Sequence, residues 1–269
     1  MSARVIRHRL RAGAVAEVVL DRPEAMNALN TATLTELNDF FTELSADPDV
    51  LVVVLSGAGD RAFCVGADLK ERATMSNSQI MGQRPAFRAA FAALRALPQP
   101  VIAAVHGFAL GGGCELALNC DVIVADGTAV LGLPEASVGL VPGCGGTQLA
   151  AMRIGSGRAA EMIFTGRKIS AAEAAAIGLV DVLHETGHAR EHALDMAGQI
   201  AANSPVAIKA AKQAIHGPAA MGLAAALDIE DVAWRIAATS ADRQEGIAAF
   251  AQKRQPVWPS APQPMSTAD

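Results

Sequence analysis

Residues 101–118, VIAAVHGFALGGGCELAL, join a run of β-branched and small apolar residues to three consecutive glycines and then to an apolar stretch. The first five, Val101–Val105, read as a buried strand, and Gly111, Gly112 and Gly113 as the turn that opens a helix. Glycines at a helix start leave backbone N–H groups unpaired at the positive end of its dipole, an arrangement suited to a developing oxyanion. Turns of this kind also hold nucleotide phosphates, but the GxGxxG spacing and the GK[ST] ending are both absent, so phosphate is the weaker reading. Glu115 sits early in this helix beside apolar Leu116, Ala117 and Leu118. It is either a first-turn partner of the dipole or a catalytic group in a dry pocket.

The same alternation runs outward on both sides. Residues 14–20 read as a strand, residues 51–56 (LVVVLS) as a more fully buried one, and residues 122–125 repeat that pattern. Between the first two, residues 31–45 carry Leu34, Leu37, Phe40, Phe41 and Leu44 at helical spacing, and residues 85–97 read as a further helix. Strands alternating with helices predict an α/β body. From about Gly155 helix follows helix, with Ser170 and Ser204 as N-caps and Pro205 at a first helical position. We divide the chain at 1–200 (core), 201–255 (helical region) and 256–269, a tail with four prolines of which most residues are expected to be poorly ordered.

With 269 residues, 51% of them hydrophobic, the chain buries a core without disulfide or metal. Its net charge of −5 is spread along the sequence without a run of like charge, so nucleic acid is not an expected partner. Cys64, Cys114, Cys120 and Cys144 form no CxxC pair and have no histidines at zinc spacing; reduced thiols in a cytoplasmic protein are expected, and no metal. Arg4, Arg7, Arg9 and Arg11 resemble a transit segment, but Val5, Ile6 and Leu10 among them favour a first strand. No secretory signal is visible, and no apolar run is long enough for a membrane span.

Two further segments stand out. Residues 63–69, FCVGADL, follow a strand and the loop 57–61; Gly66 lets the backbone bend so that the Ala67 N–H points into a cavity, although a plain strand-to-helix turn accounts for the segment equally. In residues 131–147, LGLPEASVGLVPGCGGT, Glu135 is the one charged residue between Asp126 and Arg153. Such apolar surroundings raise a carboxyl pKa toward the range useful for proton transfer. The alternative is an exposed glutamate at a helix N-terminus.

Taken jointly, DRP (21–23), ALN (28–30), FCVGADL (63–69), ALGGGCEL (109–116), PEASVGLVPGCGGTQ (134–148), FTG (164–166), residues 174–180 and residues 242–254 resemble the crotonase, or enoyl-CoA hydratase/isomerase, family over nearly the whole chain except its tail. The resemblance implies a spiral of β-β-α units forming two sheets, then a helical region that mediates trimer formation, as a homotrimer or a dimer of trimers. It implies an acyl-CoA thioester as substrate, coenzyme A being part of that substrate and no separate cofactor being needed. The N–H groups of Ala67 and Gly112 would form the oxyanion hole, and Glu115 and Glu135 fall where the family's hydratases carry two catalytic glutamates. Members that only isomerise double bonds commonly keep one carboxylate, so hydration in fatty-acid or related acyl-CoA degradation is favoured. An isomerase, another acyl-CoA lyase of the fold, or an idle acyl-CoA-binding paralogue are the alternatives.

Substrate contacts are implied at Ala25, Cys64, Gly66, Asp68, Leu69, Gly111, Pro134 and Gly143. Phe250 and Lys253 match positions that contact CoA in similar proteins, often from a neighbouring subunit, against a reading as helix core and solvated lysine. One departure is Glu24 in the RPxAxNAL motif, where many relatives place a lysine near the CoA phosphates. Residues 66–75, GADLKERATM, also resemble the methylglutaconyl-CoA hydratase branch, which includes an RNA-binding member with a lysine-rich helix. Here residues 31–47 hold no lysine or arginine, so RNA binding is not implied. The loop 72–84 and the helix after it are expected to form a mobile wall of the acyl pocket.

Overall fold

The computed structural model describes residues 5–10, 13–217 and 221–262. The first half runs β1 (Val5–Leu10), β2 (Val15–Leu20), α1 (Thr31–Ala46), β3 (Val52–Gly57), β4 (Ala62–Cys64), α2 (Leu69–Arg72), α3 (Asn77–Arg95), β5 (Val101–Val105), β6 (Phe108–Leu110) and α4 (Gly112–Leu118). Then come β7 (Val122–Asp126), β8 (Val130–Gly132), a short 3-10 turn (Pro134–Val138), α5 (Gly146–Ile154), α6 (Ser156–Thr165), β9 (Lys168–Ser170), α7 (Ala171–Ala176) and β10 (Val182–His184). Helices α8 (Ala189–Ala201), α9 (Pro205–His216), α10 (Leu223–Ala238) and α11 (Ala241–Gln252) complete it. Among the described residues no helix is long and apolar enough to cross a membrane.

Three times in succession one strand joins a six-stranded sheet and the next joins a four-stranded one, so that each pair closes a turn of a spiral. The large sheet has the order β1-β2-β3-β5-β7-β10 and the small one β4-β6-β8-β9. β1 pairs antiparallel with β2 and β8 with β9, while the remaining pairs are parallel. Parallel strands need both faces covered. Accordingly Val53, Leu55, Val101, Ala103 and Val105 face the main core under α1 and α3, and Val52, Val54, Ile102, Ala104 and Val124 face a second core closed by Ala193 and Ala197 of α8. Phe41, Phe63 and Phe91 are fully buried in the main core, each contributing roughly 2–3 kcal/mol by removal from water.

Register then positions the site. Cys64 pairs with Ala109, and Leu110 with Gly132. Strands β4, β6 and β8 of the small sheet therefore end side by side, and the residues that follow each end, Gly66 and Ala67, Gly111 and Gly112, Pro134 and Glu135, emerge at one edge. Gly111 N–H donates to the Gly132 carbonyl at 2.9 Å, extending that pairing by one residue.

Two expectations need correction. The helix expected over residues 85–97 starts instead at Asn77, with Ser76 and Gln79 forming a reciprocal capping box and Pro85 accommodated inside α3. Proline there deprives only the Met81 carbonyl of its helical partner, and Met81 is exposed to solvent. The second half of the loop 72–84 is therefore helix. In the tail, Trp258 Nε1–H donates to the Ala202 carbonyl at 2.7 Å and Ser260 Oγ–H to Asp242 at 2.5 Å, so residues 256–262 are held against α8 and α11; residues 263–269 lie outside the described residues. At the other end β1 is a strand from Val5, where Arg7 pairs with Glu43 at 2.9 Å, while Arg4 and Arg11 are outside the described residues.

Candidate active site

A cavity of about 480 Å³ opens where the small sheet ends. Gly66 has φ +84°, a conformation that side chains disfavour, and a Cβ there would stand 2.7 Å from the Gly112 nitrogen. Ala67 forms a parallel bridge with Leu29. In that bridge Leu29 N–H donates to the Gly66 carbonyl and Asp68 N–H to the Leu29 carbonyl. The geometry of a parallel bridge turns the Ala67 N–H to the opposite side, which is the cavity. Gly112 is the first residue of α4, so helix geometry leaves its N–H without an intrahelical acceptor. A Cβ on Gly112 would lie 3.7 Å from the Ala67 nitrogen, which places the two donors side by side.

Glu115 follows one turn into α4 and is 3% exposed. Its Oε1 accepts N–H bonds from Cys144 at 2.6 Å and Gly146 at 2.8 Å. Burial raises its pKa, while those two N–H groups and the charge of Arg84 pull the other way. The loop that supplies the donors is built by glycine: Gly145 has φ +114°, and a Cβ on Gly146 would meet Glu115 Oε1 at 3.0 Å. Asn119 ties loop to helix, its Nδ2 donating to the carbonyls of Glu115 at 2.7 Å and Cys144 at 2.9 Å.

Glu135 enters from the 3-10 turn across the cavity. A Cβ on Gly111 would be 3.2 Å from its Oε1, so glycine at 111 makes room for the carboxyl as well as for the φ of +53°. Its Oε2 is buried without a hydrogen-bond partner. Burial first, and the neighbouring Glu115 charge after it, push its pKa up to about 7. The two carboxyl groups thus differ: one is held by backbone donors, the other is free to carry a proton near neutrality.

Of the residues singled out from sequence, Ala67, Leu69, Gly111, Gly112, Glu115, Pro134, Glu135 and Gly143 line the cavity. Others lie outside its lining. Cys64 is buried beneath it, with its thiol pKa pushed up to about 12 by burial and its Sγ accepting from Gly66 N–H. Gly66 sits behind the two donors. Asp68 caps α2, accepting from Lys70 and Glu71 N–H, and pairs with Arg22 at 2.9 Å. Ala25 and Glu24 belong to a short 3-10 turn, Pro23–Ala25. Phe250 is 87% exposed on α11 and Lys253 caps that helix in a left-handed conformation. Sequence reasoning did not single out Asn119, although its position four residues after Glu115 is a helix-face signal. The wall expected from residues 72–84 and the helix after them is present, with Arg72, Ile80, Met81, Arg84 and Phe87 lining the cavity.

A sequence model described as enoyl-CoA hydratase/isomerase matches residues 11–261. The chain belongs to this family. Among enoyl-CoA hydratase/isomerase relatives, the short-chain-enoyl-CoA hydratase of Clostridium acetobutylicum is 40% identical over 247 residues, covering 90% of this chain and 93% of that protein. The 2,3-dehydroadipyl-CoA hydratase of Escherichia coli is 41% identical over 240 residues, covering 89% and 92%. The crystal structure of an enoyl-CoA hydratase from Bacillus anthracis superposes with a TM-score of 0.93 at 40% identity, covering 96% of this chain and all of that one. The crotonase-type spiral and its C-terminal helices are shared with these family structures.

Proposed function

We propose that this family member is an enoyl-CoA hydratase, adding water reversibly and on one face to a trans-2-enoyl-CoA thioester to give the 3-hydroxyacyl-CoA. The observation that carries the reading is the pair of unlike carboxyl groups in one cavity, Glu115 held on two backbone donors and Glu135 with its pKa near 7 and an unpartnered oxygen. The thioester carbonyl accepts from the N–H groups of Ala67 and Gly112, and negative charge moves onto that oxygen as the enolate forms. Glu115 takes a proton from water as the oxygen bonds to C3. Glu135 in its acid form delivers a proton to C2, and takes it back in dehydration. The proton left on Glu115 returns to Glu135 or solvent to close the cycle. No separate cofactor is required, since CoA arrives with the substrate.

Exposed Leu223, Leu227, Trp234, Ile236, Ile247 and Phe250 on α10 and α11 support burial against further copies of the chain as a trimer or dimer of trimers. Phe250 is exposed and lies outside the lining of its own cavity, which supports a CoA contact made across that interface, with Lys253 following it at the end of α11. Free, buried Cys64, Cys114, Cys120 and Cys144 suit a reducing cytoplasm. Incubation with crotonyl-CoA tests the activity: 3-hydroxybutyryl-CoA is the expected product, and migration of a 3-enoyl double bond without hydration would make the protein an isomerase.

A further inference from the structure

Glu115 is the more deeply buried of the two carboxyls, yet it is the one that takes a proton from water in the hydration cycle, a task that needs its ionised form. Burial works against that form, and the N–H groups of Gly146 and Cys144 work for it. One side chain joins them, the positively charged Arg84. Arg84 belongs to α3 and donates to the Gly143 carbonyl, with its Nη1 3.6 Å from Cys144 Sγ. A Cβ on Gly143 would stand 2.9 Å from Nη1 and 3.2 Å from both Cζ and Nη2, so glycine at 143 lets the guanidinium lie over the loop. The next N–H along, that of Cys144, is the 2.6 Å donor to Glu115 Oε1. A single guanidinium therefore fastens the stretch of backbone that grips Glu115 and sets positive charge beside it.

Among the described residues no other charge does both. Cys114 of α4 and Cys144 of the loop are thiols that burial pushes up to about 12 and about 11, so they stay neutral at pH 7. Glu135, from the 3-10 turn, holds its proton up to about pH 7. Arg72 of α2 faces Cys144 and Arg84 but has Glu71 as its own counter-charge. Arg153 of α5 pairs with Asp181 at 2.8 Å, and Arg95 of α3 donates to Asn119 at 2.6 Å. The Glu135 pKa follows burial first, then its own backbone N–H and the Glu115 charge, so the Arg84 charge separates the two carboxyls instead of shifting both.

We propose that Arg84 is the positioning residue of the base: it pins the Gly143–Gly146 loop onto the Glu115 carboxylate and keeps that carboxylate ionised, leaving Glu135 to carry the proton. The role in turnover rests on the hydratase reading of the cavity. The effect on Glu115 itself does not.

The test is the pH profile of kcat/KM for crotonyl-CoA hydration in wild type, in Arg84→Gln, which keeps an N–H donor without the charge, and in Arg84→Lys, which keeps the charge. Because the two carboxyls interact, both limbs are followed. Arg84→Gln should move the acidic limb, where Glu115 takes up a proton, upward by about one pH unit and leave the alkaline limb in place. Arg84→Lys should move the acidic limb less than half as far. A merely structural arginine would lower the rate without moving either limb. An acidic limb that stays in Arg84→Gln, that moves at least half as far in Arg84→Lys, or that moves together with the alkaline limb would overturn the proposal. Arg84→Met replaces the glutamine variant if circular dichroism shows that variant unfolded. If wild type does not hydrate crotonyl-CoA, the hydratase reading fails on its own, and Arg84 is judged by infrared difference spectra over a pH series. The C=O band of protonated Glu115, identified by its absence in Glu115→Gln, should then titrate at higher pH in Arg84→Gln but not in Arg84→Lys; any other pattern would overturn the proposal.

Discussion

Gly66 and Gly112 approach so closely that a Cβ on Gly66 would stand 2.7 Å from the Gly112 nitrogen, the atom that carries one of the two donors proposed for the thioester oxygen. Gly66 also holds φ +84°. Gly66→Ala should therefore displace a donor without touching either glutamate. A loss of about a hundredfold in kcat with crotonyl-CoA is expected, the scale for one oxyanion donor. Circular dichroism and steady-state kinetics together check it; an unaltered kcat would remove Gly112 from the role.

Glu135 sets the pH behaviour. Its pKa near 7 means that the acid form needed for hydration is lost as pH rises through neutrality, so kcat/KM for hydration should fall above about pH 7 while dehydration gains. The stability consequence has the same origin. The folded carboxyl holds its proton to higher pH than the unfolded one, so its contribution is present below the unfolded pKa of 4.5 and is lost as pH rises through about 7. Glu135→Gln should accordingly raise the melting temperature at pH 8 and change it little at pH 5. Thermal melts at the two pH values decide this, and equal shifts at both would contradict the burial argument.

Asn119 ties down Glu115, the proposed base, from outside the cavity lining. Its Nδ2 bridges the carbonyls of Glu115 and Cys144, and its Oδ1 accepts from Arg95 at 2.6 Å. Asn119→Ala leaves buried acceptors unmatched, at a cost of about 1–3 kcal/mol. Because the Cys144 loop also orients the Glu115 carboxylate, kcat should fall about tenfold with little change in KM, on the scale of a misplaced catalytic group. A loss of melting temperature with normal kcat would restrict Asn119 to the fold.

Glu17 provides a contrast away from the site. It is fully buried, with Arg190 donating to both its oxygens at 2.6 Å and Ser56 Oγ–H at 2.8 Å. Arg190→Ala should cost about 2–3 kcal/mol by stranding a buried carboxylate, and leave kcat unchanged. Denaturant unfolding measures the first and initial rates the second.

Much of this was legible in the linear chain, and the reasons are local. Val101–Val105 and residues 52–56 are strands buried on both faces, so unbroken β-branched runs report them directly. Asn30 at the cap and Leu34, Leu37, Phe41 and Leu44 on one face make α1 equally plain. The start of α3 was hidden because its first turns are polar and Pro85 looks like a boundary, although the Ser76 and Gln79 box was there to be found. Glu135 announced itself by its uncharged neighbourhood. The inward turn of Arg72 and Arg84 did not, because which way a half-buried arginine faces depends on packing between α2, α3 and the Gly143 loop, residues far apart in the chain. Asp68 sits in the family motif, and its carboxylate caps α2 and pairs with Arg22.

The central claim is that Glu115 and Glu135 together move the protons of hydration in this cavity. Rates of 3-hydroxybutyryl-CoA formation from crotonyl-CoA by wild type, Glu115→Gln and Glu135→Gln test it most directly. We predict losses of at least about a hundredfold in each variant with the fold intact, on the scale of general acid–base catalysis. Hydration at the wild-type rate by either variant would contradict the account.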